Sequence, residues 1–152
     1  MEKNEKRVIP NDRFFATVEE MIAERRSVDI LVKGFSMRPF LGNCKHTVTL
    51  SPIEPEKIRK GMVVLFRKDS AHILHRFRGV NSKGELVMKG DGNYRIVELV
   101  PRDSVVAYVS RVKCNGRGYS YGSFVWYARG FWSLVVKWLR TRVIDVKRVI
   151  KK

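Results

Sequence analysis

A chain of 152 residues is long enough to close one hydrophobic core and short for two, so one scaffold with functional ends is expected. With 44% hydrophobic and 30% charged residues it is globular rather than disordered, and 31 basic against 15 acidic side chains leave a net charge of +16 that wants an anionic neighbour, nucleic acid or a membrane surface. Cys44 and Cys114 lie far apart with no Cys-x-x-Cys and no histidine at ligand spacing, so two reduced structural thiols are expected, with no metal and no cofactor.

Residues 1–11 read as a polar lead ending at Pro10-Asn11. No sustained apolar run there suggests a signal peptide or an anchor, which points to a cytoplasmic or membrane-peripheral protein and leaves that choice open. Asp12 caps a predicted helix whose apolar positions Phe14, Phe15, Val18, Met21 and Ile22 recur at helical spacing, with Glu19, Glu20, Glu24 and Arg25 outside the stripe. Asp29-Ile30-Leu31-Val32 reads as a strand running into Gly34-Phe35-Ser36-Met37-Arg38-Pro39, where glycine and proline turn the chain. Further strands are predicted at His46–Leu50, Gly61–Phe66, His72–Phe77, Glu85–Lys89 and Val105–Val112, with turns at Ser51–Pro55, Arg67–Asp69, Asn81–Gly84 and Gly90–Asn93. About six strands with turn signals at this spacing make the body mostly β, an α+β class once the flanking helices are counted. The chain divides into a lead and amphipathic helix over 1–29, a β domain over 30–122 and a basic amphipathic helix over 123–152, with no internal repeat.

A serine between a glycine and a proline at a strand end has its hydroxyl presented, with backbone N–H groups nearby to receive an oxyanion. Ser36 is therefore the candidate nucleophile, with Gly34, Met37 and Pro39 as oxyanion or substrate-positioning residues; the bland alternative is a solvated turn. A serine hydroxyl needs a base near neutral pH. His75 suits that role, because an imidazole titrates near neutrality and can take the serine proton and return it to a leaving amine. Strand alternation puts His75 on the face opposite His72 and Leu74, so at most one of the two histidines can point toward Ser36. Asp91, between two glycines in Lys89-Gly90-Asp91-Gly92-Asn93, could hold that imidazole in one tautomer, although Gly-Asp-Gly is also a common turn.

In order, Gly34-Phe35-Ser36-Met37-Arg38-Pro39-Phe40, Lys60–Phe66, Leu74-His75-Arg76-Phe77 and Met88–Asn93 resemble the motif set of the type I signal peptidases, S24/S26 serine peptidases, over roughly residues 30–112. Histidine rather than lysine before the arginine makes the chain similar to the branch of the archaeal, SipW-like and endoplasmic-reticulum enzymes. The resemblance implies Ser36 as nucleophile, His75 as general base and Asp91 in the supporting acidic group, on the antiparallel β architecture shared with the LexA-type peptidase domain. It implies a serine endopeptidase acting on leader or signal peptides with small side chains before the cut, its partner being a peptide or preprotein. The alternative is a catalytically degenerate relative that binds peptide or membrane without cutting. Relatives place a further aspartate a few residues after the Gly-Asp-x-Asn motif, whereas here Tyr94-Arg95-Ile96-Val97 follow, so the acid stays open among Asp91, Glu98 and Asp103. Gly42-Asn43-Cys44 stands where they carry a Gly-Asp pair, and the membrane-spanning helix that typically precedes the serine is not read here.

From Phe124 to Ile150 the positions Trp132, Val135, Leu139, Val143, Val146 and Ile150 form one helical stripe, with Arg129, Lys137, Arg140, Lys147, Arg148 and Lys151 largely off it. A membrane span needs about 20 mostly apolar residues, and each central charge costs on the order of 2.5 to 3.5 kcal/mol, so Arg129 and Lys137 disfavour crossing. Trp126, Trp132 and Trp138 with flanking cations instead suit a helix lying on an anionic membrane surface; packing on the core and docking to a partner protein are the alternatives. Nucleic acid is unlikely as a partner, since no β-face interleaves cations with aromatics and no reader motif is present.

Overall fold

The computed structural model describes residues 11–32, 34–41, 46–93 and 95–150, and among these the side chains of all but Asn11, Lys137 and 141–150. Helix α1 (Asn11–Ala23) is followed by β1 (Val28–Leu31), β2 (His46–Ser51), β3 (Val63–Lys68), β4 (Ala71–Val80), β5 (Leu86–Lys89), β6 (Glu98–Val100), β7 (Val105–Cys114), β8 (Arg117–Ser120) and helix α2 (Phe124–Ile150). The strands make one antiparallel sheet in the order β1-β2-β7-β3-β4-β5-β6, with β8 also paired to β7. The architecture is thus mostly antiparallel β with a C-terminal helix, an α+β arrangement. Most of the polar lead, Gly42-Asn43-Cys44 and Tyr94 lie outside the described residues.

Side chains alternate across a strand, and along β3 this sends Val63 and Leu65 into one core and Val64 and Phe66 into another. Burial on both faces is why Met62–Phe66 is continuously apolar instead of alternating with polar residues. The first core collects Val18 and Ile22 from α1, Met37, Phe40 and Leu41 from the serine turn, and Trp126 from α2. The second collects Phe77, Leu86, Met88 and Val100 with Ile58 and Met62. Lys68, at the end of β3, forms an ion pair with Glu98 on β6, although β4 and β5 stand between those strands in the sheet order. Only a sheet curled into a half-barrel lets those two side chains meet.

Two strands escape the sequence reading. β6 has three residues, and β8 contains Gly118 and half-buries only Tyr119, so neither shows a period of two in its sequence. Asp12 lies inside the first turn of α1 instead of preceding it, where its charge still favours the positive end of the helix dipole.

The C-terminal helix forms as expected, but one of the three tryptophans read as interfacial, Trp126, turns inward. Its inward side is Trp126 and Ser133, each 1% exposed, with Gly130 against the Arg76 guanidinium. Trp126 packs edge-on against Phe40, Tyr119 and Tyr121, so it is a core residue and not an interfacial one. Trp132 and Leu139 of the expected stripe point outward at 60% and 48% exposure, and the side chains of Val143, Val146, Lys147, Arg148, Ile150 and Lys151 lie outside the described set.

Candidate active site

After β1 the chain turns at Gly34, whose φ of 106° is a conformation that L side chains rarely adopt. The turn that follows is closed by the Arg38 N–H donating to the Phe35 carbonyl (3.1 Å) and the Leu41 N–H donating to that of Met37 (2.8 Å). Met37, Phe40 and Leu41 are sunk in the first core, which pins the segment while leaving Phe35, Ser36 and Pro39 exposed. Neither the Ser36 nor the Met37 N–H has a backbone acceptor among the described residues. Pro39 has no N–H and the Met37 side chain is packing material, so the backbone donors this turn could offer an oxyanion are the Ser36 and Met37 amides.

The loop after β5 docks directly on this turn. The Gly92 N–H donates to the Ser36 carbonyl (2.8 Å). A Cβ on Gly92 would stand 2.6 Å from the Phe35 carbonyl oxygen and 2.9 Å from that of Arg38, and one on Gly90 would collide with the Ser36 carbonyl oxygen. Both glycines of the Gly-Asp-Gly triplet are therefore required for backbone to touch backbone, a second use beyond tight turning.

His75 reaches the same spot from β4. Its Nε2 lies 3.0 Å from the position of that Gly90 Cβ, so the imidazole and the Ser36 main chain border one glycine. The ring is 4% exposed beside Phe66, with centroids 6.2 Å apart. Burial pushes its pKa below the ordinary imidazole value, while the charges of Glu98 and Asp91 oppose that shift. It is neutral at pH 7, the form that accepts a proton. His72, on the opposite face, stacks on Phe15 of α1 at 4.2 Å and bonds Glu19 through Nε2 at 2.6 Å. That resolves the choice between the two histidines.

The three carboxylates sort differently from expectation. Asp91 is 2% exposed, and its oxygens accept from Arg76 Nε (2.9 and 3.1 Å), Arg76 Nη2 (2.6 Å) and Arg78 Nη2 (3.0 Å). It clamps two arginines on the face of β4 away from His75, and His75 Nδ1 has no hydrogen-bond partner among the described residues. Arg76 and Arg78 share one strand parity and His75 has the other, so the carboxylate that pairs with both arginines lies on their side of β4. Arg76 also donates to the Gly61 carbonyl (2.6 Å) and lies over the Phe40 ring at 4.3 Å, tying β4 to the serine turn. Glu98 pairs in register with Met88, on the side of the second core and of His75, and takes Lys68 as its ion-pair partner. Asp103 is exposed in the short 3-10 turn Arg102–Ser104 and bears on neither residue through any described contact.

The structure thus brings together Gly34, Ser36, His75 and the loop carrying Asp91, and leaves Asp103 apart. Arg78 and Lys68 were not singled out by sequence, and Arg76 entered only as a member of the Leu74–Phe77 motif; the hint to their shared role is that Arg76 and Arg78 have a strand parity opposite to His75. Among the described residues no three His, Cys, Asp or Glu side chains gather as a metal site. Comparison with family models, with curated proteins and with solved structures found no match for this chain.

Proposed function

We propose that the chain is a serine endopeptidase of signal-peptidase type, cleaving leader or signal peptides through an acyl-enzyme. The observation that supports this most is the shared Gly90: a neutral imidazole and an exposed serine turn meet at a residue that has no room for a side chain. In this scheme His75 Nε2 takes the Ser36 hydroxyl proton as Oγ bonds to the scissile carbonyl carbon. The Ser36 and Met37 amides hold the oxyanion, and the imidazolium returns the proton to the leaving amine as the C–N bond breaks. Water then repeats the sequence to release the acid. Glu98 is the better-placed acid for His75, acting through its charge and not through a hydrogen bond.

Incubation with leader peptides that carry small residues before the cut, read by mass spectrometry, tests the scheme. Cleavage is expected from the native chain and from neither Ser36→Ala nor His75→Ala; cleavage by both variants would remove it. The unpartnered His75 Nδ1 favours a second reading, a peptide-binding relative that does not cut, and the same assay separates the two.

A further inference from the structure

From Phe124 to Leu139, helix α2 turns a continuous aromatic and aliphatic face to the outside. Phe124 is 85% exposed, Phe131 67%, Trp132 60%, Trp138 57%, Tyr127 55% and Leu139 48%. Neighbouring turns of a helix align positions three, four and seven apart, so Phe124, Tyr127, Phe131 and Trp138 fall on one arc, with Trp132 and Leu139 beside it. The opposite arc is already taken by the core through Trp126 and Ser133. No rotation of α2 can bury both arcs against this one domain.

We infer that this face is a docking surface for an anionic lipid bilayer, with α2 lying in the plane of the interface. Charge complementarity selects the occupant: over Phe124–Ile150 the helix carries six Lys and Arg against the single acid Asp145, and the whole chain is +16. Phe, Trp and Tyr rings presented by a helix of net positive charge are the chemistry of the headgroup boundary, where rings enter and ammonium or guanidinium groups stay wet. Sixteen residues from Phe124 to Leu139 span about 24 Å at 1.5 Å per residue, a length that lies along the surface. No helix among the described residues is long and apolar enough to cross.

The full chain is sedimented with vesicles of phosphatidylcholine alone and of phosphatidylcholine with about one third phosphatidylglycerol. Strong co-sedimentation only with the anionic vesicles, weakened by 0.5 M salt as charge screening requires (~4 Å Debye length), is the expected result. The double variant Phe131→Glu with Trp132→Glu keeps its far-UV circular dichroism, because neither side chain is in a core, and loses roughly a hundredfold in partition coefficient. Phe131→Ser with Trp132→Ser provides the same readout should the glutamates disturb the helix. Undiminished binding by these variants would mean charge alone acts, and would overturn the inference. So would absence of anionic-vesicle binding, or a dimer in solution that the variants split. Repeating the assay with Ser36→Ala separates this surface from catalysis, since lipid binding needs no active hydroxyl.

Discussion

A methyl group on Gly90 has nowhere to go, since it would drive into the Ser36 carbonyl on one side and crowd His75 Nε2 on the other. Gly90→Ala should therefore lower stability by about 1–3 kcal/mol, as overpacking does, and lower kcat/KM by more than the stability loss explains. Thermal unfolding and peptide cleavage on the same preparation check both halves. The carboxylates separate by what they do when neutralised. Asp91→Asn leaves Arg76 buried without its counter-charge, which costs about 3–5 kcal/mol in a denaturant titration. Glu98→Gln removes a charge that holds the His75 pKa up, so the acid limb of the cleavage profile, already below the ordinary value of about 6.5, moves to still lower pH. A limb that stays in place would detach Glu98 from the site.

At the scale of elements, strong hydrophobic patterns were readable and short or two-sided ones were not. Met62–Phe66 and the α1 stripe could be placed from sequence because burial alone dictates them. β6 and β8 could not, because three residues or a glycine-bearing four show no period, and their pairing is decided by β5 and β7. The serine turn and the Gly-Asp-Gly loop were legible as turns, but their contact is tertiary, and so is the diversion of Asp91 to two arginines. For α2 the sequence offers one apolar stripe through Trp132 and Leu139 and a lone Trp126 on the opposite arc, and only packing shows that the lone tryptophan enters the core. Trp126→Ala should accordingly cost about 3–5 kcal/mol and loosen α2 from the sheet, whereas Trp132→Ala should stay within about 0.5 kcal/mol. Urea unfolding of the pair distinguishes them; equal losses would reverse the assigned faces.

For the molecule as a whole, two histidines couple folding to pH in the same direction. His75 and His46 are both buried and both titrate below the ordinary imidazole value, His46 through burial and then the charge of Arg129. A lowered folded pKa means that the unfolded chain takes up protons first as pH falls. Their contribution to stability is thus fully present above about pH 6.5, declines as acid is added below it, and is lost once the folded pKa values are passed. Melting temperatures measured from pH 8 to pH 5 check this, and His75→Gln should flatten the slope. In the proposed scheme this same imidazole is the base that would ready the Ser36 hydroxyl for acyl transfer. Intact-mass labelling with a fluorophosphonate, which bonds only to an activated hydroxyl, tests that most directly. One adduct on Ser36 is predicted, absent from Ser36→Ala and formed at least about a hundredfold more slowly by a folded His75→Ala. An unlabelled native chain, or His75→Ala labelled at the native rate, would contradict it.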